Sequence, residues 1–186
     1  MFRLSREIED AKHAVTHLLE SDLSIEGWLG VYGASYGGAV AICSAVRDKR
    51  ISCVCLRTPV YDTLAFTRWL MIQPAIDRIQ RTAPDEVHGL GEPHLRRRIL
   101  EWMIEDGATF NPISEVSKIS PRPLFVITGD ADENIDLAGV QRLFELAGEP
   151  KQLVVVEGAD HELADPRAYE TTMDRVVAWF RSQRPD

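Results

Sequence analysis

Gly33-Ala34-Ser35-Tyr36-Gly37 sets a serine midway between two glycines. A serine hydroxyl is a poor nucleophile until a base takes its proton and a carboxylate orients that base. Two polar clusters downstream could supply both groups. Gly129-Asp130-Ala131-Asp132-Glu133-Asn134 offers the carboxylate, and Glu157-Gly158-Ala159-Asp160-His161 offers the base. The implied chemistry is acyl transfer, with His161 taking the proton of Ser35 as it attacks a carbonyl and an aspartate steadying the imidazole. The pentapeptide alone decides little, because a G-x-S-x-G arises by chance about once in twenty chains of this length.

The elements that must position these residues strengthen the signal. The apolar run Trp28-Leu29-Gly30-Val31-Tyr32 predicts a buried strand leading into the serine turn. Gly37 to Val46, small and apolar, predicts a helix packed closely on a sheet. A strand–turn–helix with a serine at the turn lifts the hydroxyl above the sheet and sets a helix N-terminus beneath developing negative charge. Glycines on either side would relieve crowding in so tight a turn. Ile51 to Leu56 reads as the next strand, Leu124 to Thr128 as another ending in Gly129, and Leu153 to Val156 as a fourth. The acidic cluster and His161 therefore each follow a predicted strand, at the end where ligands collect in open α/β sheets.

Helices fill the intervals. Ser5 is placed to cap a first helix whose Ile8, Ala11, Val15, Leu18 and Leu19 share helical spacing. Leu137 to Ala147 carries Leu137, Val140, Phe144 and Ala147 on one face. Asp165-Pro166 starts a last helix with Tyr169, Met173, Val176 and Phe180 as its apolar stripe. Alternating strands and helices predict an α/β fold with a parallel sheet flanked by helices. Residues 61–119, irregularly helical with prolines at Pro74, Pro84, Pro93 and Pro112, read as a small helical insertion or lid within one domain spanning residues 1–186. There are no repeats or low-complexity segments.

Bulk properties narrow the partners. The chain has 186 residues, enough for one domain with a full core. Its 21 Lys+Arg against 29 Asp+Glu leave a net charge of −8. Arg96-Arg97-Arg98 is too short a basic run to neutralise phosphates, so nucleic acid is not the expected partner. The first ten residues lack an apolar core, and no stretch approaches the apolar length of a membrane span, which points to a cytoplasmic protein. Cys43, Cys53 and Cys55 have no metal spacing and read as small buried hydrophobes. His13 and His17, one turn apart, read as a helix surface rather than a metal site, and neither metal nor cofactor is expected.

Gly33 to Gly38, Pro123 to Ile135 and Gly158 to His161 resemble the α/β-hydrolase superfamily, in particular bacterial dienelactone-hydrolase-like and serine-aminopeptidase-like members. The resemblance runs from Leu4 onward, apart from the middle insertion. It implies the chain order serine, acid, histidine found here. The family acid commonly sits three residues after a glycine and three before Val or Ile. Gly129, Asp132 and Ile135 match, so the resemblance assigns the acid to Asp132, with Asp130 as the fallback. Asp160 is read as loop structure. The backbone N–H of Tyr36 is the expected oxyanion donor.

Family members normally have several strands, and a loop with a second oxyanion donor, ahead of the helix with which this chain begins. The reading is therefore a partly truncated α/β-hydrolase fold. It leaves Trp28–Tyr32 as an apolar edge, expected to be covered in a homo-oligomer unless the chain is a fragment. A serine esterase acting on a small-molecule ester is the expected function. Its alternatives are a peptidase or thioesterase of the same fold, or a relative that lacks a complete oxyanion hole and is non-catalytic or dependent on assembly.

Overall fold

The computed structural model describes residues 3–21, 25, 27–68, 77–78, 81–82 and 92–185. Four strands, β1 (Gly30–Ala34), β2 (Cys53–Arg57), β3 (Leu124–Gly129) and β4 (Lys151–Val156), form one sheet in the order β1-β2-β3-β4. All neighbours are parallel, with Ala34 opposite Arg57, Arg57 opposite Ile127 and Gly129 opposite Val156. The C-terminal ends of the strands therefore share one edge, as the sequence predicts.

Side chains alternate across the pleat and divide the core in two. Val54, Leu56, Leu124 and Val126 face a cluster with Ala39, Ile42, Val140 and Leu143 from the helices α2 (Tyr36–Arg47) and α6 (Leu137–Leu146). Cys53, Cys55, Phe125 and Ile127 face the final helix α7 (Pro166–Gln183). Phe125 stacks on Trp179 with ring centroids 5.4 Å apart. Burying one such side chain fully is worth about 1.5–3 kcal/mol, so the two layers fix which face each loop leaves from. All three cysteines are free and buried, and burial pushes the Cys53 and Cys55 thiols up to about 12, far from the thiolate that reactivity needs.

Three local expectations are corrected. The first strand lies at Gly30–Ala34 rather than Trp28–Tyr32, because its ladder with β2 begins at Gly30 opposite Cys53. Ser5 does not cap the first helix α1 (Leu4–Glu20), whose N-cap residue is Arg3. Both the backbone N–H and the hydroxyl of Ser5 donate to Asp106 Oδ2 at 2.9 Å, so a distant carboxylate serves the helix start. In α7 the buried stripe is Ala168, Thr172, Val176 and Trp179, while Tyr169 lies exposed. Of the stripe its sequence suggests, Val176 is buried and Phe180 packs against the same cluster, while Trp179, stacked on Phe125, widens the buried face.

Within residues 61–119 the described parts are the helices α3 (Thr63–Arg68), α4 (Pro93–Thr109) and α5 (Pro112–Glu115), followed by a 3-10 turn, Val116–Ile119. Pro74 and Pro84 lie outside the described residues. His13 and His17 are both exposed on α1, and among the described residues no cluster could hold a metal ion. Nor, among those residues, is any helix long and apolar enough to cross a membrane. β1 pairs with β2 alone among the described residues, and Tyr32 on it is exposed.

Candidate active site

The serine turn is held in a conformation that few residues adopt. Ser35, between β1 and α2, has φ 52° and ψ −123°, a left-handed backbone that costs a non-glycine residue about 1–3 kcal/mol. Three hydrogen bonds hold it there. Ser35 N–H donates to the Arg57 carbonyl at 3.0 Å, and the Ser35 carbonyl accepts from Gly38 N–H at 3.0 Å and Val60 N–H at 2.9 Å. A Cβ on Gly33 would sit 2.3 Å from the Gly37 carbonyl oxygen, so the first glycine of the motif is sterically required. Gly37 is not, since a Cβ there would meet nothing within 4 Å, and the expectation that both flanking glycines relieve crowding holds only for the first.

The acid loop leaves β3 after Gly129, where a Cβ would run into the Ala159 carbonyl of the neighbouring loop. That closeness lets two bonds tie the loops together. Ala131 N–H donates to the Ala159 carbonyl, and Gly158 N–H donates to Asp130 Oδ1 at 2.6 Å. Asp130 is thus an exposed brace between loops. Asp132 turns inward: its Oδ1 accepts from Asn134 N–H at 2.8 Å and Ile135 N–H at 2.9 Å, and its Oδ2 faces His161 Nδ1 at 2.9 Å. Asp160 Oδ1 accepts from Ala164 N–H within its own loop, away from the histidine.

His161 Nε2 lies 3.1 Å from Ser35 Oγ, which completes a chain of contacts from Asp132 through His161 to Ser35. The side chain of Asp132 is only 1% exposed and that of His161 13%. Burial pushes the Asp132 carboxyl up, but the His161 hydrogen bond and the two backbone N–H groups outweigh it and hold the group below the usual carboxylate range. An ionised carboxylate only accepts, so Nδ1 must carry the imidazole proton and Nε2 is left as the acceptor facing the serine. Tyr36 heads α2 immediately after the serine, and its ring packs against Phe66 at 5.8 Å between centroids.

Beside this chain lies a cavity of about 310 Å³ lined by Val60, Tyr61, Ala65, Phe66, Ile135 and Asp136, among others. It adjoins the serine turn through Val60 and the acid loop through Ile135. At its wall Tyr61 Oη donates to Asp136 Oδ2 at 2.5 Å. Apart from Ile135, sequence reasoning missed these lining residues, as it missed Arg57. The only available signal for Arg57 was a charged residue directly after an apolar strand.

A model of the prolyl oligopeptidase family matches residues 5–184. Polyketide transferase ATR5 of Stachybotrys chlorohalonatus is 22% identical over 191 residues, covering 85% of this chain. The chain spans only 64% of that protein's length. Among solved structures, the α/β-hydrolase GrgF from Penicillium sp. sh18 superposes with a TM-score of 0.71 at 21% identity, over 98% of this chain and 73% of its own. Est1E from Butyrivibrio proteoclasticus, solved with ferulic acid, gives 0.72 at 14% identity, over 98% and 69%. The fold is that of the α/β-hydrolases.

Proposed function

This chain belongs to the prolyl oligopeptidase family, and on that premise we propose that it is a serine hydrolase that cleaves small-molecule esters through an acyl-enzyme. The observation that carries the reading is the continuous contact Asp132–His161–Ser35 ending on a serine in a strained turn. In this reading Ser35 Oγ attacks the substrate carbonyl while His161 Nε2 takes its proton, and Asp132 offsets the imidazolium charge. His161 then returns the proton to the leaving alcohol and activates the water that frees the acid. Tyr36 N–H is the oxyanion donor, at the start of α2 where the helix dipole favours negative charge. The cavity beside Phe66 takes the acyl group, and the described helices of residues 61–119 form part of a cap over it.

The loops 130–136 and 157–165 carry eight acidic residues and no Lys or Arg, so neutral acyl groups suit this rim better than carboxylates. A second reading, transfer of the acyl group to an alcohol instead of water, draws on the polyketide transferase relative. Product analysis with and without an added alcohol separates the two. The open side of β1 is in this reading covered by another strand, most simply from a second copy of the chain. Light scattering at micromolar concentration should show a dimer, and an active monomer would remove that part of the proposal.

The principal test uses short p-nitrophenyl esters. Wild-type protein should turn them over with a burst of p-nitrophenol, and Ser35→Ala should retain its fold and lose turnover. Wild-type rates in Ser35→Ala would overturn the reading.

A further inference from the structure

We propose that Arg57 is a positioning residue that holds the two ends of the proton path, Ser35 and His161, in register; the proposal rests on the serine-hydrolase reading above. Arg57 is the last residue of β2, the strand between the one that leads to the serine and the one that leads to the acid. Its backbone carbonyl accepts the Ser35 N–H at 3.0 Å. Its guanidinium Nη1 donates to the His161 backbone carbonyl at 2.6 Å. One residue thus touches both the nucleophile's turn and the base's main chain, from the sheet floor beneath them.

The pleat explains how it reaches. Cys53 and Cys55 face α7, and Arg57, two residues on, lies on that same side, the side from which α7 follows the histidine loop. The His161 carbonyl takes no backbone hydrogen bond among the described residues, and the loop then passes through Leu163 at φ 55°. The Asp130 brace holds this loop at Gly158, three residues before the histidine. Arg57 is the side chain that fixes the histidine's own peptide.

The charge on Arg57 has no other evident use. It is half-buried, and among the described residues no carboxylate lies within ion-pair distance of it. Partial desolvation of a cation is costly without a partner. A charge-assisted bond to a carbonyl offsets that cost and restricts the carbonyl more tightly than a neutral donor would. The bond goes to the main-chain carbonyl of His161 and not to its ring, so the brace lies off the path of the proton.

The test follows fluorophosphonate labelling of Ser35, separating the maximal labelling rate from the half-saturating probe concentration. Arg57→Met should lower the maximal rate about 100-fold, the scale of an ångström's misplacement of a reacting group. The half-saturating concentration should stay within about twofold and the melting temperature near that of the wild type, because Arg57 orients the base without touching the probe. Arg57→Lys, which keeps a charged donor, should recover part of the rate. In a His161→Ala background, Arg57→Met should cost nothing further, since the group it positions is gone.

A maximal rate in Arg57→Met within twofold of wild type, or an equal fractional loss in both backgrounds, would overturn the positioning role. Should Arg57→Met not fold, Arg57→Gln, neutral and shorter, is judged by the same two criteria. Labelling that requires Ser35 and ignores Arg57 sinks this inference alone. Absence of Ser35 labelling in the wild type sinks the hydrolase reading with it.

Discussion

Glu115, near the end of the chain's helical middle, and Asp132, beyond it, both have buried carboxylates, and each is held by a nitrogen-bearing side chain. Glu115 receives the Arg47 guanidinium as a fork, at 2.7 and 2.8 Å. Asp132 receives His161 Nδ1 and two backbone N–H groups. In each case burial pushes the carboxyl up, and the partner's hydrogen bond, the other donors and the nearby positive charge together outweigh it and hold the group below the usual range. A depressed carboxylate therefore does not mark a reactive site. The difference lies in what the partner does next. Arg47 spends another donor on the Cys43 carbonyl inside α2, and the network ends in packing. His161 presents a second nitrogen to a strained serine at the edge of the sheet. A base that can exchange its proton, facing a group that can use it, separates the two regions.

The largest effect that would break this comparison is on turnover. Asp132→Asn should lower ester turnover about 10⁴-fold with little change in melting temperature, because an amide favours the wrong imidazole tautomer. Asp130→Asn, which alters only the brace to Gly158, should stay within about tenfold of wild type. Steady-state rates for the two variants decide it, and the reverse ranking would hand the acid role to Asp130.

Glu115→Gln should do the opposite. Removing the carboxylate leaves Arg47 without its ion-pair partner and should cost about 2–3 kcal/mol of stability in urea denaturation, with turnover per folded molecule unchanged. A large loss of turnover in the folded variant would tie the packing network to the site.

Acid exposes the same network. Because the Glu115 carboxyl is depressed in the fold, the stability it contributes is complete above its ordinary pKa and is lost as pH falls through the lower folded value. The stability gap between wild type and Glu115→Gln should be constant near neutrality and shrink below about pH 4. Denaturation curves across that range check it, and a gap that widens on acidification would contradict the assignment. The smallest effect belongs to the exposed carboxylate Asp136, where Tyr61→Phe should cost no more than about 0.5–1 kcal/mol in the same assay.

How much of this was legible in the sequence follows from what each feature depends on. That Ser35, Asp132 and His161 would meet at one edge was legible because each follows an apolar strand, and parallel strands bring their ends together by topology alone. The choice of Asp132 over Asp130 rested on a family pattern, and in the fold Asp132 meets the histidine while Asp130 braces a neighbouring loop. Arg57 escaped notice because its importance comes from a contact 104 positions away, which no local pattern encodes. The buried face of α7 was legible in part, since Val176 and Phe180 pack against the core as their spacing suggests, while Tyr169 is exposed and Trp179 takes a place by stacking on Phe125. The Ser5 cap failed for a similar reason, since Asp106 competes for the hydroxyl from another helix.

Activation of Ser35 by His161 is decided by mapping a fluorophosphonate adduct by mass spectrometry in wild type and His161→Ala. Stoichiometric modification of the peptide containing Ser35 is expected in the wild type and, over the same interval, almost none in His161→Ala. Equal modification of Ser35 in both proteins, or an adduct on a different serine, would contradict it.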